Sequence, residues 1–409
     1  MKKINLTGWI FIALFAGAVT GEVYRWNHPD PETRAHFASN ISILSDIFLR
    51  FIKMIIAPLV FSTLVVGIAK LGDFKAVGRI GIKTILYFQF ATLLALTLGL
   101  IIVNVFKPGF YMHLEVPAST AHTNITTAPI TLKDFVSHVI PKSIIEAMAN
   151  NEILPIVVFS LFFGVAVAAV GDIGKPIVKA MDALAHVMFK VTNYVMKFAP
   201  IGVFGAICAV IAQQGIEVVK GYFYLIACFY GGLLFFGLVI LGTIAYSVKV
   251  NFIKLLGAIQ EPILLAFSTA SSESAFPKTV EKLKQFGCSE RIISFVLPLG
   301  YSFNLDGSIM YMTFATAFIA QTYGRVLSIE EQITMMLILL VTSKGMAGVP
   351  RASLVVIAAL LPQFNLPEAG LLLLLGIDQL LDMGRSATNV IGNAVATVVV
   401  SKWEGELKE

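Results

Sequence analysis

Apolar residues run through this chain in blocks too long for a water-soluble fold. Uncharged windows cover Asn5–Gly21, Thr84–Phe106, Ile153–Gly171, Phe198–Ile216 and Gly221–Val248. Each approaches the ~17–25 residues that a helix needs to cross the hydrocarbon of a bilayer. A membrane barrel is excluded, because its strands alternate polar and apolar positions over ~10 residues. From about Asn251 the pattern changes. Pro262–Ser272 is apolar for only eleven residues, ends in STASSES and is followed by a basic return bearing Lys278, Lys282 and Lys284. Entry and exit on one side predict a re-entrant helical hairpin with a Ser-rich tip. Ile292–Gly324 is long enough to cross but is interrupted by NLDG, Asn304–Gly307. Gln332–Phe364 repeats the hairpin from the other side around the tip TSKGMAGVP. Pro367–Trp403 then crosses and carries DQLLDMGRSATNVIGN, Asp378–Asn393.

Two units thus emerge, each a hairpin followed by a span with polar residues at mid-depth, starting from opposite sides. That is the layout of an inverted repeat with broken helices, where secondary transporters place substrate and ion sites. Non-helical backbone at membrane depth is tolerated only when buried in protein or lining a wet cavity, so the tips and the NLDG break are expected to meet in one interior site.

Composition fits this picture. The 409 residues are 57% hydrophobic and 13% charged, about half the charged share of a soluble domain. The chain is expected to be an all-α integral membrane protein. Residues 1–250 form an N-terminal block of six helices and residues 251–409 a C-terminal core. The N-terminus lacks a clear cleavage signature and reads as a retained first helix. Basic residues gather at Lys2, Lys3, Lys70–Lys83, Lys175, Lys179, Lys249, Lys254, Lys402 and Lys408. By the positive-inside rule they place both termini in the cytoplasm. The net charge of +5 reflects this topology and implies no nucleic-acid partner. Cys208, Cys228 and Cys288 have no metal-ligand spacing. Arg50 and Lys53 read as snorkelling residues, and Asp46 as equally bland.

The polar stretch is the main chemical signal. Asp378, Asp382, Arg385, Asn389 and Asn393 are spaced 4, 3, 4 and 4 apart, which puts them on one helix face. Charges inside spans are usually functional, and five polar residues exceed what hiding one ion pair requires. Asp306, with Asn304, Ser308 and carbonyls of an unwound turn, makes a hard-cation site; the competing reading is a helix N-cap. Ser271 and Ser272 either cap the return helix or contribute to an anion cradle at a helix start. Glu273 reads as a helix-start charge.

STASSES, GYSFNLDG, SKGMAGVP and DMGRSATNVIGN, in this order and spacing, resemble the dicarboxylate/amino acid:cation symporter family along essentially the whole chain, most closely its bacterial glutamate–aspartate members. The resemblance implies a homotrimer in the lipid of the inner membrane. Each protomer would have eight transmembrane helices and two re-entrant hairpins and work as an elevator. It implies no enzyme activity and no cofactor beyond a coupling cation, Na+ and/or H+. Arg385 would pair with the substrate's side-chain carboxylate, Asp382 with its ammonium and Asn389 with its α-carboxylate, in a cradle completed by Ser271, Ser272, Ser308 and Val349. Cation positions would be Thr92, Gly300, Asn304, Asp306, Ser343, Lys344, Met346, Asn389 and Asn393, holding Na+ if the carrier is sodium-coupled. The second hairpin, with Gly345, Gly348, Pro350 and Arg351, would be the outer gate.

The residue chemistry agrees with an acidic amino acid as cargo. The Arg385 fork suits a carboxylate and Asp382, one turn away, suits an ammonium. Relatives that carry four-carbon dicarboxylates look serine-like at that position. Departures from the family pattern are Asn393 in place of a sodium-ligating aspartate, Met312 in place of a proton-carrying glutamate, and Phe88 and Ala91 near Thr92. Arg351 replaces a glycine, with Glu273 as a possible partner. Succinate, fumarate or malate symport is the alternative cargo. An ion channel is disfavoured by the mixed-sign Asp382/Arg385 pair, and no HExxH or GxSxG motif suggests an enzyme.

Overall fold

A computed structural model describes residues 6–69, 74–111, 140–343, 352–375 and 377–408. Among them the backbone is helical and no sheet forms; Cys288 and Leu407 make an isolated bridge. That is what a chain in hydrocarbon requires, since a helix satisfies its own N–H and C=O groups without water. Among the described residues, six helices are long and apolar enough to cross a membrane: Pro31–Ala69, Gly78–Tyr111, Gly171–Gln213, Phe223–Ser247, Phe252–Thr269 and Glu290–Thr322.

The first half comprises α1 (Leu6–Asn27), α2 (Pro31–Ala69), α3 (Phe74–Phe106), α4 (Ile153–Ala169), α5 (Lys175–Val195), α6 (Ala199–Gly221) and α7 (Phe223–Ser247). Helix α2 is the hub of this half, packing against α4, α5 and α6, while α1 lies along α6. The window Phe198–Ile216 proves to be the end of a longer rod. An amphipathic helix, α5, runs into α6 through the 3-10 turn Met196–Phe198. Hydropathy alone missed α5 because its lysines and Asp182 break the apolar run. A π turn at Phe235–Ile240 interrupts α7.

The second half begins with a helical hairpin. Its first arm, α8 (Phe252–Thr269), starts earlier than the apolar stretch from Pro262 predicted, because Lys254 and Glu261 lie inside it. Glu261 is buried and pairs with Lys282 (3.0 Å) and Lys278 (3.5 Å) of the return arm α9 (Ser272–Phe286). Acid and bases that depress the hydropathy thus neutralise one another across the hairpin. The tip is tight: Ala270 is left-handed (φ 49) and Ser271 caps α9 by accepting from the Ser274 N–H at 3.4 Å.

Helix α10 (Glu290–Phe303) and α11 (Asp306–Thr322) are the two halves of the span interrupted at Asn304–Leu305. Then come α12 (Ile329–Thr342), opened by a Ser328/Glu331 capping box, and α13 (Ala352–Leu360). The stretch from Pro367 is not one helix: 3-10 turns and a short helix, Leu372–Leu375, precede α14 (Asp378–Trp403). Helix α14 packs against α8, α10 and α11, and α11 lies along α3.

The C-terminal residues tie this half to α3 and to the turn before α10. Glu404 accepts from Arg79 Nε at both carboxylate oxygens (3.2 and 3.1 Å), from Arg79 Nη2 (2.7 Å) and from Lys83 Nζ (2.7 Å). Those bonds, Arg79's first, hold its carboxyl below the ordinary carboxylate range despite burial. Ser289 Oγ donates to Glu406 Oε2, Arg291 pairs with Oε1 of the same carboxylate, and the Lys408 N–H donates to the Gly287 carbonyl at 2.9 Å.

Candidate functional site

Helix α14 carries the polar stripe into the interior. Arg385 is 1% exposed and lies between two carboxylates of its own helix. Its Nη2 donates to Asp378 Oδ1 at 3.0 Å and its Nε to Asp382 Oδ1 at 3.1 Å. The Tyr311 ring, from α11, sits 4.1 Å from the guanidinium carbon, a cation–π geometry. Arg385 Nη1, also buried, donates to no group among the described residues. A guanidinium stays charged at any physiological pH, so two carboxylates around one arginine leave the cluster net negative. The acids are not equivalent: the Asp378 side chain is 2% exposed and that of Asp382 28%. Asp378 is sealed behind the arginine, whereas Asp382 faces open space.

One turn on, Asn389 ties α14 to the broken span. Its Oδ1 accepts from the N–H groups of Gly307 (2.9 Å) and Ser308 (3.4 Å), and its Nδ2 donates to Ser308 Oγ at 3.1 Å. The first N–H groups of a helix need outside acceptors, and here a side chain from another helix supplies one. Leu305 occupies the N-cap position and Asp306 is the first helical residue. Asp306 is therefore not the N-cap.

Asp306 joins a second buried group. Asn304 Nδ2 donates to Asp306 Oδ2 at 3.2 Å and to Asn393 Oδ1 at 3.3 Å. All three residues are at most 1% exposed. Two glycines permit the approach: a Cβ on Gly300 would enter the Asn393 amide, and one on Gly392 would enter the Asp306 carboxylate. Asn304 Oδ1 is buried with no hydrogen-bond partner among the described residues, an oxygen of the kind that a hard cation takes. Thr92 is fully buried on α3, the helix packed along α11. Ser343 is buried at the end of α12, its Oγ without a hydrogen bond among the described residues.

A cavity of about 600 Å³ opens beside Arg385. Ser271, Ser272, Ser308, Asp382, Arg385 and Asn389, chosen from sequence, all line it, brought from the hairpin tip, the broken span and α14. Val349, Lys344, Gly345, Met346, Gly348, Pro350 and Arg351 lie outside the described residues. The opposite wall is formed by residues 35–53 of α2 and by α6. Asp46 and Lys53, both solvent-exposed, stand on that wall. Glu273 lines the cavity as well.

Two contributors escaped the sequence reading. Asp378 was visible on the stripe but drew no role, although a carboxylate seven residues before an arginine shares its helix face. Tyr311 gave no signal, because its contact with Arg385 joins two helices far apart in sequence.

A family model described as "Sodium:dicarboxylate symporter family" matches residues 6–403. A proton/sodium-glutamate symport protein of Bacillus caldotenax is 42% identical, over 100% of this chain and 97% of the relative. One of Bacillus subtilis is 39% identical, over 98% and 94%. A C4-dicarboxylate transport protein of Anaeromyxobacter sp. (strain K) is also 39% identical, over 100% and 92%.

Proposed function

The chain belongs to the sodium:dicarboxylate symporter family, a family of transporters rather than enzymes, and from that premise we propose that it imports L-aspartate or L-glutamate driven by Na+, H+ or both. The asymmetry of the two acids on Arg385 carries this reading. Asp378, sealed away, fixes the guanidinium. Its Nη1 takes the substrate's side-chain carboxylate, and Asp382 remains for the ammonium. An acid in that place repels the second carboxylate of succinate or malate, which lack an amine. Asn389 and Ser308, with the Ser271–Ser272 tip, hold the α-carboxylate, and Val349 closes the cradle.

The coupling cation binds in the Asn304–Asp306–Asn393 group, with Gly300, Thr92 and the 343–346 backbone contributing. Asn389 belongs to both sites, since the helix start it holds begins at Asp306. Loading of cation and cargo is coupled through that turn. The architecture consistent with this is eight spans and two re-entrant hairpins in inverted repeat, with residues 1–250 mostly scaffold and 251–409 the moving core. Three such chains assemble in the inner membrane, termini in the cytoplasm. With that orientation the cavity beside α2 opens outward, and the second hairpin around Gly345, Gly348, Pro350 and Arg351 is the gate.

C4-dicarboxylate transport is the second reading, favoured by the relatives of that description. Uptake by purified protein in liposomes separates the two. Asp382→Ser should lower aspartate uptake at least about thirtyfold, as expected when a desolvated charge loses a partner worth about 2–5 kcal/mol, and should admit succinate. Unchanged aspartate transport in that variant would refute the role given to Asp382.

A further inference from the structure

Lys53 is a charge in an unexpected place. It stands 22 residues after the start of α2 and 16 before its end, about 33 and 24 Å at 1.5 Å per residue. Immediately after it the helix runs uncharged through Met54–Ala69, so Lys53 is the last charge before the apolar part of α2. It is solvent-exposed and lines the cavity, and among the described residues no carboxylate forms an ion pair with it.

The other charges on the lining identify the chemistry of Lys53's partner. Asp46, Glu273 and Asp382 are the acids there, and Arg385 is the second cation among the described residues. Arg385 is already outweighed by Asp378 and Asp382. Without Lys53 an anion entering the cavity meets a surface negative on both walls.

We propose that Lys53 is a specificity-determining residue on the stationary wall: it draws the anionic cargo into the cavity and does not travel with it. This rests on the reading that the cargo is an anion. Charges lining a cleft with low-dielectric walls focus the field and raise the local concentration of the opposite charge. Lys53 therefore acts on capture, through KM, more than on maximal rate, and its effect is screened by salt.

The test is initial-rate uptake of labelled L-aspartate into liposomes by wild type, Lys53→Met and Lys53→Arg, at low and high ionic strength set with choline chloride. Lys53→Met should raise KM about three- to tenfold at low ionic strength, within the range that focusing supplies. The gap should shrink below twofold once the Debye length falls to about 3 Å near 1 M salt. Lys53→Arg should behave as wild type. Lys53→Gln carries the same expectation if the methionine variant does not assemble. An unchanged KM, a salt-independent defect, or an arginine variant as impaired as the methionine one would each overturn the proposal. Wild-type uptake with no KM effect removes Lys53 alone; absence of wild-type uptake of any anion removes the transport reading with it.

Discussion

Arg385 depends on groups of unlike standing. Asp378 shares its burial, so Asp378→Asn should leave the guanidinium underpaired and cost about 3–5 kcal/mol, the usual result of breaking a buried ion pair. Thermal unfolding in detergent would register this, and added substrate should recover less of the loss than in wild type. Gly392 acts by absence of bulk: a methyl there displaces the Asp306 carboxylate. Gly392→Ala should raise the cation concentration for half-maximal uptake about tenfold, the loss of roughly one interaction at 1.4 kcal/mol, with a smaller change in substrate affinity at saturating cation. At this scale the sequence revealed which residues share a helix face, because that follows from a period of 3.6. It could not reveal Tyr311 beneath Arg385 or Lys53 across the cavity, since nothing local encodes what packs opposite a face.

At the scale of elements, breaks and tips were easier to find than helix ends. The NLDG interruption lies where α10 stops and α11 restarts, since an Asn–Leu–Asp–Gly run in an apolar span signals poor helix. The first hairpin's arm was underestimated because Glu261 lowers hydropathy while its pairing with Lys278 and Lys282 makes it acceptable inside. The C-terminal clasp was invisible beforehand, as it joins Glu404 to residues more than three hundred positions away. Its pH behaviour follows from sign. The folded carboxyl of Glu404 titrates below its unfolded value, so the clasp stabilises fully above the ordinary carboxylate range and weakens as pH falls through the folded value. Glu404→Gln should lower the unfolding temperature near neutral pH and lose less stability than wild type on acidification, measured by scanning unfolding from pH 7 to about 3.

For the whole molecule, an all-helical membrane protein was legible from composition and long apolar windows alone, and the chain's family from four motifs in order. What the chain transports is decided on a finer scale, because relatives of similar identity are described as carriers of glutamate and of C4-dicarboxylates. On the function proposed above, the cargo is set by a few side chains in one cavity, Asp382 foremost. The most direct measurement is accumulation of labelled L-aspartate in liposomes containing the purified protein, under an imposed inward Na+ or H+ gradient, with unlabelled glutamate or succinate as competitor. Uptake should overshoot its equilibrium level, collapse when the gradient is dissipated, and yield to glutamate but not to succinate. Gradient-driven accumulation of succinate without that of aspartate or glutamate would contradict the account.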